Sequence, residues 1–214
     1  MTPGKWPAII LASSSPRRRE LLAALGLAFR SVSPAVDETP SDGEEPTALV
    51  RRLSVAKAIA VAASLRNTLV IAADTVVVLD NEVLGKPTDA AEAVAMLGRL
   101  CGRSHLVHTG LAVLDTRDDH LYETVVTTMV HMRNYGADEV AHYIAGGDPL
   151  DKAGAYAIQN SALAPVVSIE GCYTNVVGLP VCHVYDALLG RGVTAPNPPP
   201  VGCFGQRVCG WPRR

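Results

Sequence analysis

A continuous apolar segment at residues 68–79 dominates the hydrophobic pattern of the chain and contains a single carboxylate, Asp74. Its length and its many β-branched side chains predict a central strand buried on both faces. Burying an ionised carboxylate without a partner is strongly unfavourable, so Asp74 requires a cation, a metal ion or several hydrogen-bond donors. The segment alone leaves two interpretations open. Asp74 is either a structural carboxylate held by backbone N–H groups, or a metal-binding or general-base carboxylate on the floor of a cleft.

The rest of the chain alternates between strand-like and helix-like patterns, which is typical of an α/β protein. Further strands are predicted at 8–12, 29–36, 83–84, 104–114, 120–132 and 166–169, with a loop and a strand at 149–159. Helices are predicted at 16–25, 46–66, 89–102, 135–145 and 180–189. We expect one folded domain at 1–191, followed by a Pro- and Gly-rich, poorly ordered tail at 192–214.

Local signals mark the starts of two of these helices. Ser15 suits the N-cap of the first helix, and Pro16 suits its first helical position. Asp89 and Glu92 have the spacing of a capping box. In the helix at 46–66, Lys57 lies just off a predicted buried face, which consists of Leu49, Leu53, Ala56, Ala60 and Ala63.

Composition argues against several classes of partner. The 214 residues carry a formal net charge of −2 and only 5% aromatic side chains, which indicates neither a basic nucleic-acid face nor a base-stacking platform. The five cysteines are odd in number and form no C-x-x-C motif, which favours reduced thiols in the cytoplasm. The apolar run at 7–12 is too short for a signal peptide or a membrane span. We therefore expect a cytoplasmic protein that binds no nucleic acid and no membrane.

Residues 13–18 bring three hydroxyls and two guanidinium groups to the junction of a strand and a helix. Helix N-termini present unpaired N–H groups and the positive end of the helix dipole. Ser13, Arg17 and Arg18 could therefore help to cradle a polyphosphate. Taken alone, an ordinary capped helix with solvated arginines is the commoner structure.

Three further charged residues are candidates for the same chemistry. Glu38 follows the second predicted strand and is either a solvated loop acid or a partner of Asp74 in binding Mg²⁺ or Mn²⁺, which prefer oxygen ligands. Lys57 and Lys86 are isolated lysines in apolar or Gly/Pro-rich surroundings. Either lysine could neutralise charge beside a polyphosphate. The plainer alternative for Lys57 is a helix residue that extends its ammonium group into water.

Seven short motifs follow one another in a fixed order along the chain. They are SSSPRR at 13–18, VDE at 36–38, KA at 57–58, ADT at 73–75, GKP at 85–87, LDKAGAYAIQ at 150–159 and NVVGLP at 175–180. In this order they resemble the Maf family of nucleoside triphosphate pyrophosphatases, first named as septum formation inhibitors. Each motif alone is weak evidence for the family, but seven motifs in the same order are specific evidence. The resemblance spans about residues 7–190.

The resemblance implies hydrolysis between the α and β phosphates, which gives a nucleoside monophosphate and pyrophosphate. It also implies an α/β fold of two lobes around a central mixed sheet with a cleft, similar to the inosine triphosphatase fold, and a homodimer. Asp74 matches the family's proton acceptor. The metal and phosphate-handling positions fall on Glu38, Lys57 and Lys86, and the phosphate loop on Ser13 and Arg18.

Three positions resemble the branch of the family that acts on dTTP and UTP. They are Arg17, Thr75 and Gln159, where the sibling 7-methyl-GTP branch has Trp, Gln and Glu. Two residues depart from the common pattern: Ala56 stands where many members have Glu, and Asn160 stands where Gly is usual. A pyrophosphatase of the sibling specificity and a non-catalytic nucleotide-binding regulator of septation remain the alternatives.

The combined hypothesis is a metal-assisted hydrolysis of pyrimidine nucleotides. A divalent ion held by Glu38 and Asp74 would bridge the triphosphate, and Asp74 would deprotonate the attacking water. Arg18, Lys57 and Lys86 would neutralise the charge that develops on the leaving pyrophosphate.

Overall fold

The computed structural model describes residues 7–199, apart from the side chain of Asp148, and these residues form a mixed β-sheet with helices on both faces. The seven strands run in the spatial order β2-β1-β3-β5-β6-β7, and β4 pairs with β3 outside this path. Strand β1 is parallel to β2 and β3, whereas the other pairs are antiparallel. This confirms the predicted α/β class with a central mixed sheet. The strands are β1 (Ala8–Ala12), β2 (Arg30–Val32), β3 (Thr68–Leu79), β4 (Glu82–Leu84), β5 (Ser104–Asp115), β6 (His120–Met132) and β7 (Val166–Glu170).

The helices divide between the two faces of the sheet because side chains alternate along each strand. On one face, Val70, Ala72, Val76 and Val78 of β3 lie in clusters with residues of α2. On the other face, alternate β3 residues such as Ile71 join the main core with α1, α3 and α6. The helices are α1 (Pro16–Ala23), α2 (Pro46–Ala62), α3 (Ala90–Leu100), α4 (Ala137–Ala145), α5 (Tyr173–Val177) and α6 (Val181–Gly190).

The predicted helix starts agree with the structure. The Ser15 side chain accepts a hydrogen bond from the Arg18 backbone N–H at 3.4 Å, with Pro16 as the first residue of α1. The Asp89 carboxylate accepts one from the Glu92 backbone N–H at 2.8 Å at the start of α3. The reciprocal half of that capping box differs from expectation, because the Glu92 carboxylate accepts from the backbone N–H and hydroxyl of Thr88.

Several predicted element bounds are wrong. The second strand covers only Arg30–Val32, because Pro34 has no N–H group with which to continue the ladder. The segment 149–159 forms no strand. It contains two short 3₁₀ turns instead, which we call the 3₁₀ segment, and Gly147 and Gly154 adopt left-handed conformations. The short helix α5 was not anticipated. The buried face of α2 is also rotated from its predicted position, since Ala60 is exposed and Lys57 is buried.

The site is positioned by a gap along one edge of β3. Strand β1 pairs with β3 up to Ile71, and β4 pairs with the same edge only from Val77 onward. The intervening part of β3 therefore has a partner strand, β5, on one side only. The loop after β1 and the loop after β4 flank this gap, which brings distant parts of the sequence to Asp74 and its neighbours.

Part of the predicted tail packs against the folded domain. Residues 192–199 of the predicted tail are described, and there Val193 and Ala195 are buried and the Asn197 backbone N–H donates to the Leu25 carbonyl. The remainder of that tail, with Cys203 and Cys209, lies outside the described residues. Within residues 7–199, no helix is both long and apolar enough to cross a membrane.

Candidate functional site

A cleft of about 640 Å³ opens at the gap along β3. This volume lies within the range of about 300–1,000 Å³ that is usual for small-molecule sites. Its walls come from β3, the loop between β1 and α1, α2, the loop after β4 and the 3₁₀ segment. The structure brings all the candidate residues together here: Ser13, Arg17, Arg18, Glu38, Lys57, Asp74, Thr75, Lys86 and Gln159 line the cleft.

Lys57 supplies the cation that a buried Asp74 requires. Its Nζ lies 2.6 Å from Asp74 Oδ1 and 2.8 Å from Glu38 Oε1, so it bridges the two carboxylates. Lys57 is only 5% exposed and Asp74 only 7% exposed, which strengthens their attraction relative to a surface pair. Glu38 is largely open to the cleft. The interpretation of Lys57 as a lysine extended into water is therefore wrong.

Gly110 allows α2 to approach the sheet closely enough for this contact. It lies on β5 directly opposite Asp74. A Cβ atom at Gly110 would overlap the backbone carbonyl of Val50 in α2. The missing side chain thus gives the helix room to pass over the sheet beside Asp74, two turns before Lys57.

Arg18 fills much of the gap in the β3 edge with its guanidinium group. It donates hydrogen bonds to the Ala73 carbonyl at 2.6 Å, to the Gly178 carbonyl at 2.8 Å and to the Thr75 hydroxyl at 3.1 Å. Burial lowers the pKa of the guanidinium from its ordinary value, while the Asp74 carboxylate opposes that shift. Arg18 has five N–H donors and uses three of them in contacts with other described residues. The other two are available to a ligand.

Arg17 crosses the cleft mouth to the 3₁₀ segment. Its Nη1 lies 2.8 Å from Asp151 Oδ2, and Lys152 Nζ lies 2.6 Å from the other carboxylate oxygen. Burial alone would raise the pKa of the Asp151 carboxyl, but hydrogen bonds from Lys152 and Arg17 hold it below its ordinary value. Asp151 and Lys152 lie in the LDKAGAYAIQ motif, but neither was predicted as a site residue from the sequence.

Ser13, Lys86 and Gln159 complete the lining. The buried Ser13 hydroxyl accepts a hydrogen bond from the Ser15 backbone N–H at 3.2 Å, which shapes the loop before α1. Lys86 and Gln159 are exposed within the cleft. Neither side chain makes an ion pair or hydrogen bond to another described residue, so both are available to a ligand.

Sequence reasoning also missed two fully buried polar residues beneath the cleft, Thr109 and Asn175. The Thr75 and Thr109 hydroxyl oxygens lie 2.9 Å apart, and the Thr109 hydroxyl donates to the Asn175 carbonyl at 3.2 Å. The available signal was weak. The β propensity of threonine explains its presence in an apolar strand as well as a functional role does. Asn175 was noted only as the first residue of the NVVGLP motif.

The carboxylates of Asp74 and Glu38 are hard oxygen donors of the kind that Mg²⁺ and Mn²⁺ prefer. Among the described contacts, each uses one oxygen for Lys57 and keeps its other oxygen free of protein donors. No cluster of three or more His, Cys, Asp or Glu side chains within residues 7–199 forms a complete metal cage. The donor set therefore fits an ion that takes its remaining ligands from substrate phosphates and water.

Comparisons with known proteins agree on one family. A family model described as "Maf-like protein" matches residues 8–190. A "dTTP/UTP pyrophosphatase" of Pelotomaculum thermopropionicum is 50% identical over 180 residues, which is 84% of this chain and 94% of the relative. Proteins of the same name from Citrifermentans bemidjiense and Dictyoglomus thermophilum are 48% and 46% identical, each over 86% of this chain and 95% of its own length.

Proposed function

The chain belongs to the Maf family, and we propose that it is a nucleoside triphosphate pyrophosphatase that hydrolyses dTTP and UTP. The products are the nucleoside monophosphate and pyrophosphate. The observation that carries the proposal is the buried Asp74–Lys57 pair, bridged to the exposed Glu38, on the floor of a cleft large enough for a nucleotide. A binding protein without turnover would not need such a carboxylate, so the cluster favours an enzyme over a non-catalytic regulator of septation.

Asp74 is the general base in this proposal. Its Oδ1 is held by Lys57, whereas Oδ2 receives no hydrogen bond from the described protein and can accept a proton from water. Holding one oxygen fixes the direction of the other, and this orientation of the base contributes to catalysis. The attacking water would lie between Asp74 and the reacting phosphorus, in line with the leaving pyrophosphate.

The cations of the cleft stabilise the charge that develops on the pyrophosphate. Arg18 presents its two remaining N–H donors from a fixed position, and Lys86 is free to move onto the phosphates. The Ser13 loop shapes the wall beside them. The carboxylates of Glu38 and Asp74 would hold Mg²⁺ or Mn²⁺. When bound there, the ion supplies Lewis-acid polarisation of the phosphates.

We assign base recognition to Arg17, Thr75 and Gln159. All three line the cleft, and Gln159 has an uncommitted amide that can face a base edge. The relatives' printed names favour dTTP and UTP over the 7-methyl-GTP specificity of the sibling branch. We also propose a cytoplasmic homodimer, which rests on the family resemblance and on the cysteine pattern of the sequence.

The test measures pyrophosphate release from dTTP, UTP and 7-methyl-GTP with Mg²⁺ or Mn²⁺. We expect turnover of the two pyrimidine nucleotides, and a loss of about 10²–10⁴-fold in kcat for Asp74→Asn, which keeps the shape and removes the base. Asp138→Asn in the exposed first turn of α4 is the matched control and should retain full activity. Near-wild-type turnover by Asp74→Asn would refute the base assignment, and a preference for 7-methyl-GTP would refute the specificity.

A further inference from the structure

A chain of hydroxyl groups runs from the cleft into the core on the face of β3 opposite Asp74. Arg18 Nη2 lies 3.1 Å from Thr75 Oγ1, which lies 2.9 Å from Thr109 Oγ1. Thr109 Oγ1 in turn lies 3.2 Å from the backbone carbonyl oxygen of Asn175. Thr75 is at the cleft surface, whereas Thr109 is fully buried. Both threonines belong to directly paired positions of β3 and β5.

The direction of these hydrogen bonds follows from counting donors. A guanidinium can only donate, so Thr75 accepts from Arg18. A carbonyl can only accept, so Thr109 gives its single hydroxyl hydrogen to Asn175. The short contact between the two threonines then requires the hydrogen of Thr75. Thr75 consequently donates into the core and keeps one lone pair that no described protein donor uses.

A second arrangement among the contacts of the described residues also keeps that hydrogen inside the protein. Thr75 could donate to the Gly178 carbonyl, but this distance is 3.5 Å, at the limit of a hydrogen bond. Thr109 would then have to donate to Thr75 and give up its hydrogen bond to the Asn175 backbone carbonyl, which would keep only the one from the Gly178 backbone N–H. The shorter distances favour donation from Thr75 to Thr109. In neither arrangement does Thr75 retain a hydrogen for a ligand.

The inner end of the chain is fixed by the side chain of Asn175. Its Nδ2 donates to the Val107 carbonyl at 3.1 Å and to the Thr128 hydroxyl at 2.9 Å. Thr128 accepts from the Cys172 backbone N–H at 3.0 Å. These contacts join α5 to β5 and β6 and hold the Asn175 carbonyl in place for Thr109.

We propose that Thr109 is a positioning residue that sets the polarity of Thr75, so that Thr75 offers the nucleotide base only a hydrogen-bond acceptor. This inference rests on the proposed function. Uracil and thymine carry an N3–H donor, whereas cytosine has an acceptor at N3. We place Thr75 against N3, where an acceptor-only hydroxyl matches uracil and thymine and opposes cytosine; against position 4 it would instead accept from the cytosine amino group. Gln159 has both an amide donor and an acceptor and can turn to suit either base, and Arg17 can donate to the O2 carbonyl that both bases carry, so the discrimination at N3 falls to Thr75.

The experiment compares UTP with CTP in the wild type, Thr109→Val and Thr109→Ser. The valine variant keeps the shape and removes the acceptor for the Thr75 hydrogen, which can then turn toward the cleft and donate to cytosine N3. We expect the ratio of kcat/KM for UTP to that for CTP to fall about tenfold, mainly through KM. Thr109→Ser retains a hydroxyl and should restore the ratio. Thr109→Ala replaces the valine variant if the latter does not fold.

Thr68→Val is the matched control, because Thr68 is a buried threonine on β3 whose hydroxyl donates to the Arg66 carbonyl away from the cleft. Its ratio should equal that of the wild type. An unchanged ratio in folded Thr109→Val, or a wild type that accepts CTP as readily as UTP, would overturn the inference. Binding of UTP and CTP analogues with an uncleavable α,β-imido bridge supplies a second readout. If the wild type hydrolyses neither dTTP nor UTP, the proposed function fails, while the analogue affinities still test the polarity of Thr75.

Discussion

Replacing Gly110 with alanine tests whether the approach of α2 to the sheet is what assembles the Lys57–Asp74 pair. Gly110 has no left-handed φ, so alanine meets no backbone strain there and only the available space matters. The added methyl group would overlap the Val50 carbonyl of α2. Carbon atoms need about 3.5 Å from their non-bonded neighbours, so α2 must move away by about 1 Å. Such overpacking costs about 1–3 kcal/mol in the free energy of unfolding.

The same displacement should reach the site. The Lys57 Nζ–Asp74 Oδ1 distance is 2.6 Å, and a shift of about 1 Å takes it beyond a good hydrogen bond. The other oxygen of Asp74 would then lose its fixed direction toward the attacking water. A misplacement of about 1 Å at a reacting centre can cost about 10²-fold in rate. We therefore expect Gly110→Ala to lower kcat/KM for dTTP by about 10–100-fold while the protein remains folded.

The assay combines urea unfolding with pyrophosphate release. With an unfolding slope of about 2–3 kcal/mol per M urea, the expected destabilisation lowers the urea midpoint by about 0.5–1 M. Gly98→Ala in α3 is the matched control, since nothing lies within 4 Å of its added methyl. It should gain about 0.5–1 kcal/mol through helix propensity and keep full activity. A Gly110→Ala protein with wild-type midpoint and wild-type turnover would refute the close-approach argument.

Two further predictions concern buried charge. Lys57→Met leaves Asp74 without its counter-ion and should lower the free energy of unfolding by about 3–5 kcal/mol. The double variant Lys57→Met/Asp74→Asn should be more stable than Lys57→Met alone. A double variant that is no more stable than Lys57→Met would contradict the pairing. Burial lowers the pKa of His105 to about 4 from an ordinary 6.5, so its contribution to stability is complete above pH 6.5 and is lost as the pH falls toward 4. Urea unfolding at pH 7 and 4.5 should differ by about 2–3 kcal/mol more in the wild type than in His105→Gln, and equal differences would exclude His105 as the source.

The parts of the fold that sequence reasoning predicted are those governed by local rules. The helix caps at Ser15 and Asp89 depend on a side chain and a backbone N–H group within one turn, so a sequence segment of a few residues is enough to identify them. The long strand at 68–79 is continuous in apolar character and was predicted with its observed bounds. The strand prediction within 149–159 was wrong because the path of the chain there depends on Gly147 and Gly154 in left-handed conformations. Apolar residues between glycines do not distinguish a turn from a strand.

The site was only partly predictable for a different reason. Asp74 was identifiable because a carboxylate in an apolar strand is itself anomalous, but the orientation of Lys57 was not. The helical pattern of α2 suggested a buried face that excluded Lys57, and tertiary contact with Asp74 and room above Gly110 rotated that face. For Thr109 the only sequence signal was a threonine in an apolar strand, which β propensity explains equally well. Its role depends on a hydrogen bond to a backbone carbonyl 66 residues away.

The balance of charge in the cleft leaves little spare positive charge for a triphosphate. Asp74 and Glu38 carry two negative charges, and the adjacent Lys57 and Arg18 carry two positive charges, so the inner cluster is neutral on its own. A triphosphate adds several negative charges, while Lys86 is the one further lining cation without an ion pair among the described residues. Lys57 cannot both shield the carboxylates and stabilise pyrophosphate. In the proposed mechanism, a divalent ion held by Glu38 and Asp74 would supply the further positive charge that the triphosphate requires, while Lys57 keeps its contact with Asp74.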